Sequence, residues 1–163
     1  MTMAITDGPI SDEALQKIRD CARGALDDLG PEVAAEGPAG IVAAIDDIMD
    51  QVQQDPGRVA EEEGADPMVY FGALWGEQLV AALGWEWANV DLGLGDPVIG
   101  VVSPDRSLAI YPFHFLVNRL NDPGLDVTVA LAFNMLVDKA IPPMPPGGYA
   151  DVMVGVRRIV PRR

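Results

Sequence analysis

The residue types able to do chemistry in this chain are few and mostly acidic. Asp46, Asp47 and Asp50 stand close together, and Glu61, Glu62 and Glu63 follow in a polar connector. Neighbouring carboxylates are the donor type that hard cations such as calcium or magnesium take. Adjacent residues diverge on a helix, however, and no glycine-containing ligand loop surrounds these. Both runs therefore read as solvated acidic faces. They suit a cationic partner better than a metal ion, and no metal or cofactor is expected.

A second constellation combines Glu77 with Trp75, Trp85, Trp87 and His114. A carboxylate and an imidazole beside aromatic walls could line a small-molecule pocket or act as acid and base. His114 is the only histidine, and no Ser or Cys nucleophile lies near it in sequence. A lone histidine without cysteine or histidine neighbours is also a poor zinc signal. The simpler reading makes the tryptophans core, Glu77 an ion-paired or edge residue, and His114 structural. Cys21, the only cysteine, reads as a small residue beside an apolar helix face. The stretch DLGLGD at 91–96 carries G-x-G, but not the third glycine or following helix of a dinucleotide fingerprint.

These residues need elements to position them, and the longest nearly uncharged run, Pro67 to Trp87, is the natural centre. Asp66 can cap a helix there and Pro67 fits its first position. The helix is apolar nearly all round, which requires burial on several sides. Gly72 and Gly76, four apart, leave a bare strip that another backbone could approach. Gly84 fits the helix end, and Trp85 to Val90 then alternates as a strand.

Upstream, residues 1–10 read as a loose leader. Ser11 caps a first helix whose inner face is Leu15, Ile18, Ala22, Ala25, Leu26 and Leu29, and Gly30-Pro31 stops it. Gly37-Pro38 opens a second helix with Ile41, Ile45, Ile48, Met49 and Val52 inward. Downstream, Val98–Val102 and Ser107–Tyr111 read as two more strands around the turn Ser103-Pro104-Asp105-Arg106. Links this short predict an antiparallel three-stranded meander. Pro112 starts a helix that ends near Arg119, and Asp126 can cap another through Lys139, with a strand as the alternative over its β-branched start, Val127-Thr128-Val129. Ile141 to Gly148, IPPMPPGG, cannot be regular helix and predicts a Pro-rich surface connector. Tyr149 to Val160 reads either as a fourth, edge strand or as a short helix.

Charge is unevenly spread over the 163 residues, whose net charge is −14. Residues 1–66 hold sixteen acids against four bases, a balance of −12. Such a half attracts cationic partners at long range and is repelled by nucleic acid and anionic membranes. The amino terminus has no basic segment followed by an apolar one, and no run is apolar for long enough to span a bilayer. With a single cysteine, these features predict a cytoplasmic location.

The segments YFGALWGEQLVAALGWEW and PVIGVVSPDRSLAIYPFHFLVNR carry a pattern of glycines four apart, then L-G-x-x-W, two strands, and a proline opening a helix that ends in a basic residue. Here the positions are Gly72, Gly76, Leu83, Gly84, Trp87, Pro112 and Arg119. Over residues 68–120 the pattern resembles a bacterial family of small α+β domains of unknown function. Small acidic proteins of this sort are similar to immunity proteins that neutralise toxins.

The expectation is thus one α+β domain over residues 1–163, with amino-terminal helices, a central buried helix and a small antiparallel sheet. Its expected function is that of a non-enzymatic acidic protein binding a basic partner. The resemblance implies an immunity-type role in neutralising a toxin or effector. The alternative is a small-molecule-binding domain or enzyme with a tryptophan-lined pocket.

Overall fold

The structure is a computed structural model that describes residues 5–54, 67–93, 95–121 and 129–154. In chain order the elements are β1 (Thr6–Gly8), α1 (Asp12–Leu29), α2 (Pro31–Ala35), α3 (Gly37–Gln54), α4 (Pro67–Leu83), β2 (Glu86–Asp91), β3 (Val98–Val102), β4 (Leu108–Ile110), α5 (Pro112–Asn121), α6 (Val129–Val137) and β5 (Ala150–Asp151). The class is α+β.

Local chemistry explains several boundaries. The Ser11 hydroxyl accepts a hydrogen bond from the Ala14 N–H at 3.2 Å and so caps α1. At the far end of α4, Gly84 takes φ 72° and donates its N–H to Val80 O at 3.1 Å. A residue with a Cβ resists that left-handed conformation, which is why glycine ends the helix.

The sheet is larger than a three-stranded meander. Its order is β1-β2-β3-β4-β5. The first three pairings are antiparallel and β4 pairs with β5 in parallel. Residues 6–8 of the expected leader form the β1 edge, with Thr6 opposite Asp91. Ala150–Asp151 supplies the other edge, reached by the long excursion through α5, α6 and the Pro-rich segment. A parallel neighbour requires such a crossover, whereas the short links between β2, β3 and β4 allow only antiparallel pairing. The short α2 between Gly30 and Glu36 also goes beyond the sequence reading.

Helix α4 is the hub, touching α1, α3, α5, α6, β2 and β3. Ala73, Leu74, Trp75 and Leu79 are buried, with Trp75 wholly so. Removing a side chain of that size from water stabilises the fold by about 2–3 kcal/mol. Across α1, Arg19 meets Glu77 and Gly24 meets Tyr70. As the α1 number rises the α4 number falls, so the two helices run antiparallel.

The glycine strip of α4 receives side chains, which corrects the expectation that a backbone approaches it. A Cβ on Gly72 would lie 2.7 Å from the Phe113 ring, and one on Gly76 would overlap the Trp87 ring. The two rings are stacked with centroids 5.8 Å apart. Trp87 stands opposite Val101, and Val101 opposite Ile110, so these share the sheet face that meets α4. Ala88, Val90, Val102 and Ala109 form a smaller cluster on the opposite face with Tyr149.

Candidate functional site

The sequence-predicted carboxylates separate into different roles. On α3, Asp46 accepts a hydrogen bond from the Ala130 N–H at 2.9 Å. Ala130 lies in the first turn of α6, where backbone N–H groups lack helical partners and the dipole favours an anion. Asp46 is therefore a cap supplied from another helix, and the reading of it as part of a solvated face is corrected. Asp50 accepts from Gln54 Nε2 at 3.3 Å along its own helix. Asp47 is exposed. Glu61, Glu62 and Glu63 lie outside the described residues, as do Asp66, Asp126 and the arginines from 157 onward. Among the described residues no group of three His, Cys, Asp or Glu is placed to hold a metal ion.

The tryptophan constellation also divides. Trp75 packs edge-on against Phe115, with centroids 5.5 Å apart. Trp85 is buried at the start of the sheet, and Trp87 fills the space above Gly76. Glu77 finds its partner in Arg19 Nε at 3.7 Å, an ion pair whose arginine is largely exposed. His114 is exposed on α5. Among the described residues no hydrogen bond or ion pair joins His114 to Glu77. All three tryptophans pack in or against one hydrophobic core cluster. Among the described residues, the buried Trp75 and Trp87 indole N–H groups have no hydrogen-bond partner.

The densest polar arrangement was invisible in the sequence. Arg106, in the β3–β4 turn, donates from Nε and Nη2 to the two carboxylate oxygens of Asp7 at 3.1 and 3.2 Å. Its Nη1 donates to Glu86 Oε1 at 3.2 Å and reaches the Ser103 carbonyl at 3.3 Å. The Tyr149 hydroxyl donates to the same Asp7 carboxylate. Backbone bonds run alongside, from Tyr149 N–H to Arg106 O and from Ala150 N–H to Ser107 O, both at 2.9 Å. The guanidinium thus ties β1, β2 and the β3–β4 turn, and Tyr149 joins the entry to β5 through Asp7 and the Arg106 carbonyl. The turn is fixed from within by Asp105, whose Oδ1 accepts from Ser107 N–H at 3.0 Å and from the Ser107 and Ser103 hydroxyls at 2.7 and 3.1 Å.

The electrostatics make this network a clasp rather than a reaction centre. The Arg106 hydrogen bonds, helped by the Tyr149 hydroxyl, hold the Asp7 carboxyl below the ordinary carboxylate value against the cost of burial. The Ser107 hydroxyl and N–H do the same for Asp105. Arg106 is held firmly protonated, chiefly by Asp7. Burial raises Tyr149, and it pushes Tyr111 up to about 12 with help from the Asp151 charge. The Ser107–Asp105 pair has a nucleophile–base spacing. Yet Ser107 is buried and Asp105, depressed and satisfied by three donors, is a weak base. The network holds strands.

The outer surface of α1–α3 carries a different set of charges. The three bases of α1 are each matched with an acid, Lys17 with Glu13, Arg19 with Glu77 and Arg23 with Asp20. Asp27, Asp28, Glu32, Glu36 and Asp47 are exposed and lack an ion-pair partner among the described residues. Asp27 and Asp28 occupy the last turn of α1, which carries no base. That end of a helix favours cations, so two anions there are locally unfavourable. The sequence reading placed the acidic surface on α3 and the following connector, and missed this junction because its acids are spread over two helices.

No protein-family model, curated protein or solved structure matches this chain. Among the described residues, no helix is long and apolar enough to cross a membrane.

Proposed function

We propose that this chain is a non-enzymatic binding protein that captures a cationic protein through the acidic outer surface of α1–α3. The observation carrying this reading is the run Asp27, Asp28, Glu32 and Glu36 at the α1–α2 junction, exposed and without ion-pair partners among the described residues. A cationic partner would relieve the mutual repulsion and complement the α1 carboxyl end. The −12 balance of residues 1–66 would extend the attraction and speed encounter at low salt. The suggested biological setting is that of an immunity-type protein neutralising a basic toxin or effector. That part rests on the resemblance over residues 68–120 and on charge.

The test is a binding screen against basic proteins encoded near its gene, with association followed from about 50 to about 500 mM salt, a range over which the Debye length falls from well above to well below about 10 Å. The reading predicts an association rate that falls steeply with salt and falls again when Asp27, Asp28, Glu32 and Glu36 are changed to their amides. Salt-independent association, or none, would overturn it.

A further inference from the structure

Three non-glycine residues adopt positive φ: Arg106 at 59°, Lys139 at 57° and Tyr149 at 48°. The first and third belong to the clasp, which fixes their backbones through hydrogen bonds. Lys139 is different. It ends α6 in a left-handed cap, with its N–H bonded to Leu136 O at 3.2 Å and the Ala140 N–H bonded to Met135 O at 2.8 Å. Glycine normally fills that position because a Cβ is disfavoured there. Lys139 is exposed and has no hydrogen-bond or ion-pair partner for its side chain among the described residues. Lys139 thus stands exposed in a backbone conformation that its side chain resists.

Immediately after it comes Ile141-Pro142-Pro143-Met144-Pro145-Pro146. Each of these six residues is a proline or precedes one. Proline fixes its own φ, and its ring drives the residue before it to extended conformations. These preferences favour polyproline II, with three residues per turn, up to the turn at Pro146-Gly147. Pro142 and Pro145 then share one edge, and Pro143 and Pro146 share another. Pro142 to Pro146 are all exposed, including Met144.

The segment is held at both ends. Ile141 packs against the main core, and on the far side the Gly147 N–H bonds to Asp105 O at 3.0 Å and the Tyr149 N–H to Arg106 O. Among the described residues, none of the carbonyls of 141–144 accepts a backbone hydrogen bond. The result is an exposed arch held at both ends, with the carbonyls of 141–144 left open among the described residues. Its conformational cost of binding is already met by proline and by the anchors.

We propose that Lys139 to Pro145 is a docking segment for an SH3-type domain, whose groove is lined by aromatic rings and carries an acidic residue at one end. Pro142, Met144 and Pro145 fill the aromatic pockets, aromatic donors reach the open carbonyls, and Lys139 pairs with the acid. The edge of Pro143 and Pro146 faces away. This surface is distinct from the acidic surface of α1–α3 and stands or falls independently of it.

The test titrates purified SH3 domains bearing that acid into the ¹⁵N-labelled full chain and follows amide shifts, with affinities from calorimetry. Shift changes centred on Lys139 to Gly148 are expected. Pro142→Ala with Pro145→Ala should lower affinity about tenfold or more, while Pro143→Ala with Pro146→Ala, equal in proline loss, should change it by no more than about twofold. Lys139→Gly should raise thermal stability, because the left-handed position is then relaxed, yet weaken binding several-fold. Unlike a capping role alone, the docking role moves these two readouts in opposite directions. The proposal is overturned by absence of binding across the panel, by binding only to WW or EVH1 domains, by equal losses in the two double variants, or by unchanged affinity for Lys139→Gly.

Discussion

Replacing Arg106 with alanine removes the one side chain that joins β1, β2 and the β3–β4 turn. Its bidentate pair with Asp7 is the main loss, since both side chains are mostly buried, 25% and 13% exposed. Hydrogen bonds to charged groups contribute about 1.5–3 kcal/mol each, and the two here share one pair of ions, so together they count for about 2–3 kcal/mol. The Glu86 contact adds little, at most about 1 kcal/mol, because that carboxylate is 61% exposed. The expected cost of Arg106→Ala is therefore about 3 kcal/mol, a fall in Tm of roughly 6–12 °C for a chain of this length. Glycine at the same position also removes the guanidinium but relaxes the φ of 59°. Left-handed geometry costs a residue with a Cβ about 1 kcal/mol, so Arg106→Gly should lose only about 2 kcal/mol. Urea unfolding followed by tryptophan fluorescence measures both. A cycle with Asp7→Asn isolates the pair and should give a coupling of at least about 1.5 kcal/mol. A cost below about 1 kcal/mol for Arg106→Ala, or no coupling to Asp7, would refute the view that this network holds the sheet.

Other perturbations test the remaining joints. Gly76→Ala places a methyl group in the Trp87 ring, and the ring is stacked on Phe113, so it cannot retreat freely. The expected loss is about 1–3 kcal/mol in urea unfolding, with a shifted tryptophan emission. Asp46→Ala removes the α6 cap and should cost about 1 kcal/mol, whereas Asp46→Asn, which keeps an acceptor, should cost less in the same measurement. Acid should weaken the clasp in a defined direction. Asp7 has a folded pKa below its ordinary 3.8, so its contribution is present above that value and is lost as pH falls through the lower one. Asp151, raised by burial, acts in the opposite sense, losing its contribution as pH rises. Stability curves of the wild type and Asp7→Asn should therefore converge in acid, and a constant gap between them would count against the Asp7–Arg106 linkage.

Residues whose role is local were legible in the sequence. Ser11 as cap, Gly84 as helix end, Pro112 as helix start and the inward face of Ile18, Ala22 and Ala25 all follow from spacing and side-chain type. Glu77 could be read as needing a partner, but nothing in the sequence singles out Arg19 from the other bases. The clasp was not legible, because Asp7 and Arg106 are 99 residues apart and Asp7 and Tyr149 are 142 apart. Three residues of β1 and two of β5 are too short to show alternation, and each becomes a strand only through its neighbour. Asp46 looked like part of an acidic face because a cap donated across helices leaves no periodic mark. The glycine strip was visible, but its occupant was not. Rings from β2 and α5 lie there, and which rings they are depends on strand register.

Under the proposed function, the acids at the α1–α2 junction would meet the partner, whereas the Arg106 network would serve only to hold the sheet. The most direct measurement is the association rate constant with a basic protein captured in the binding screen, compared between the wild type, the amide variant at Asp27, Asp28, Glu32 and Glu36, and Arg106→Ala held well below its melting temperature. The account predicts a salt-sensitive rate that drops about tenfold or more in the amide variant and stays near wild type in Arg106→Ala. Equal rates for the wild type and the amide variant, or a selective loss in Arg106→Ala, would contradict it.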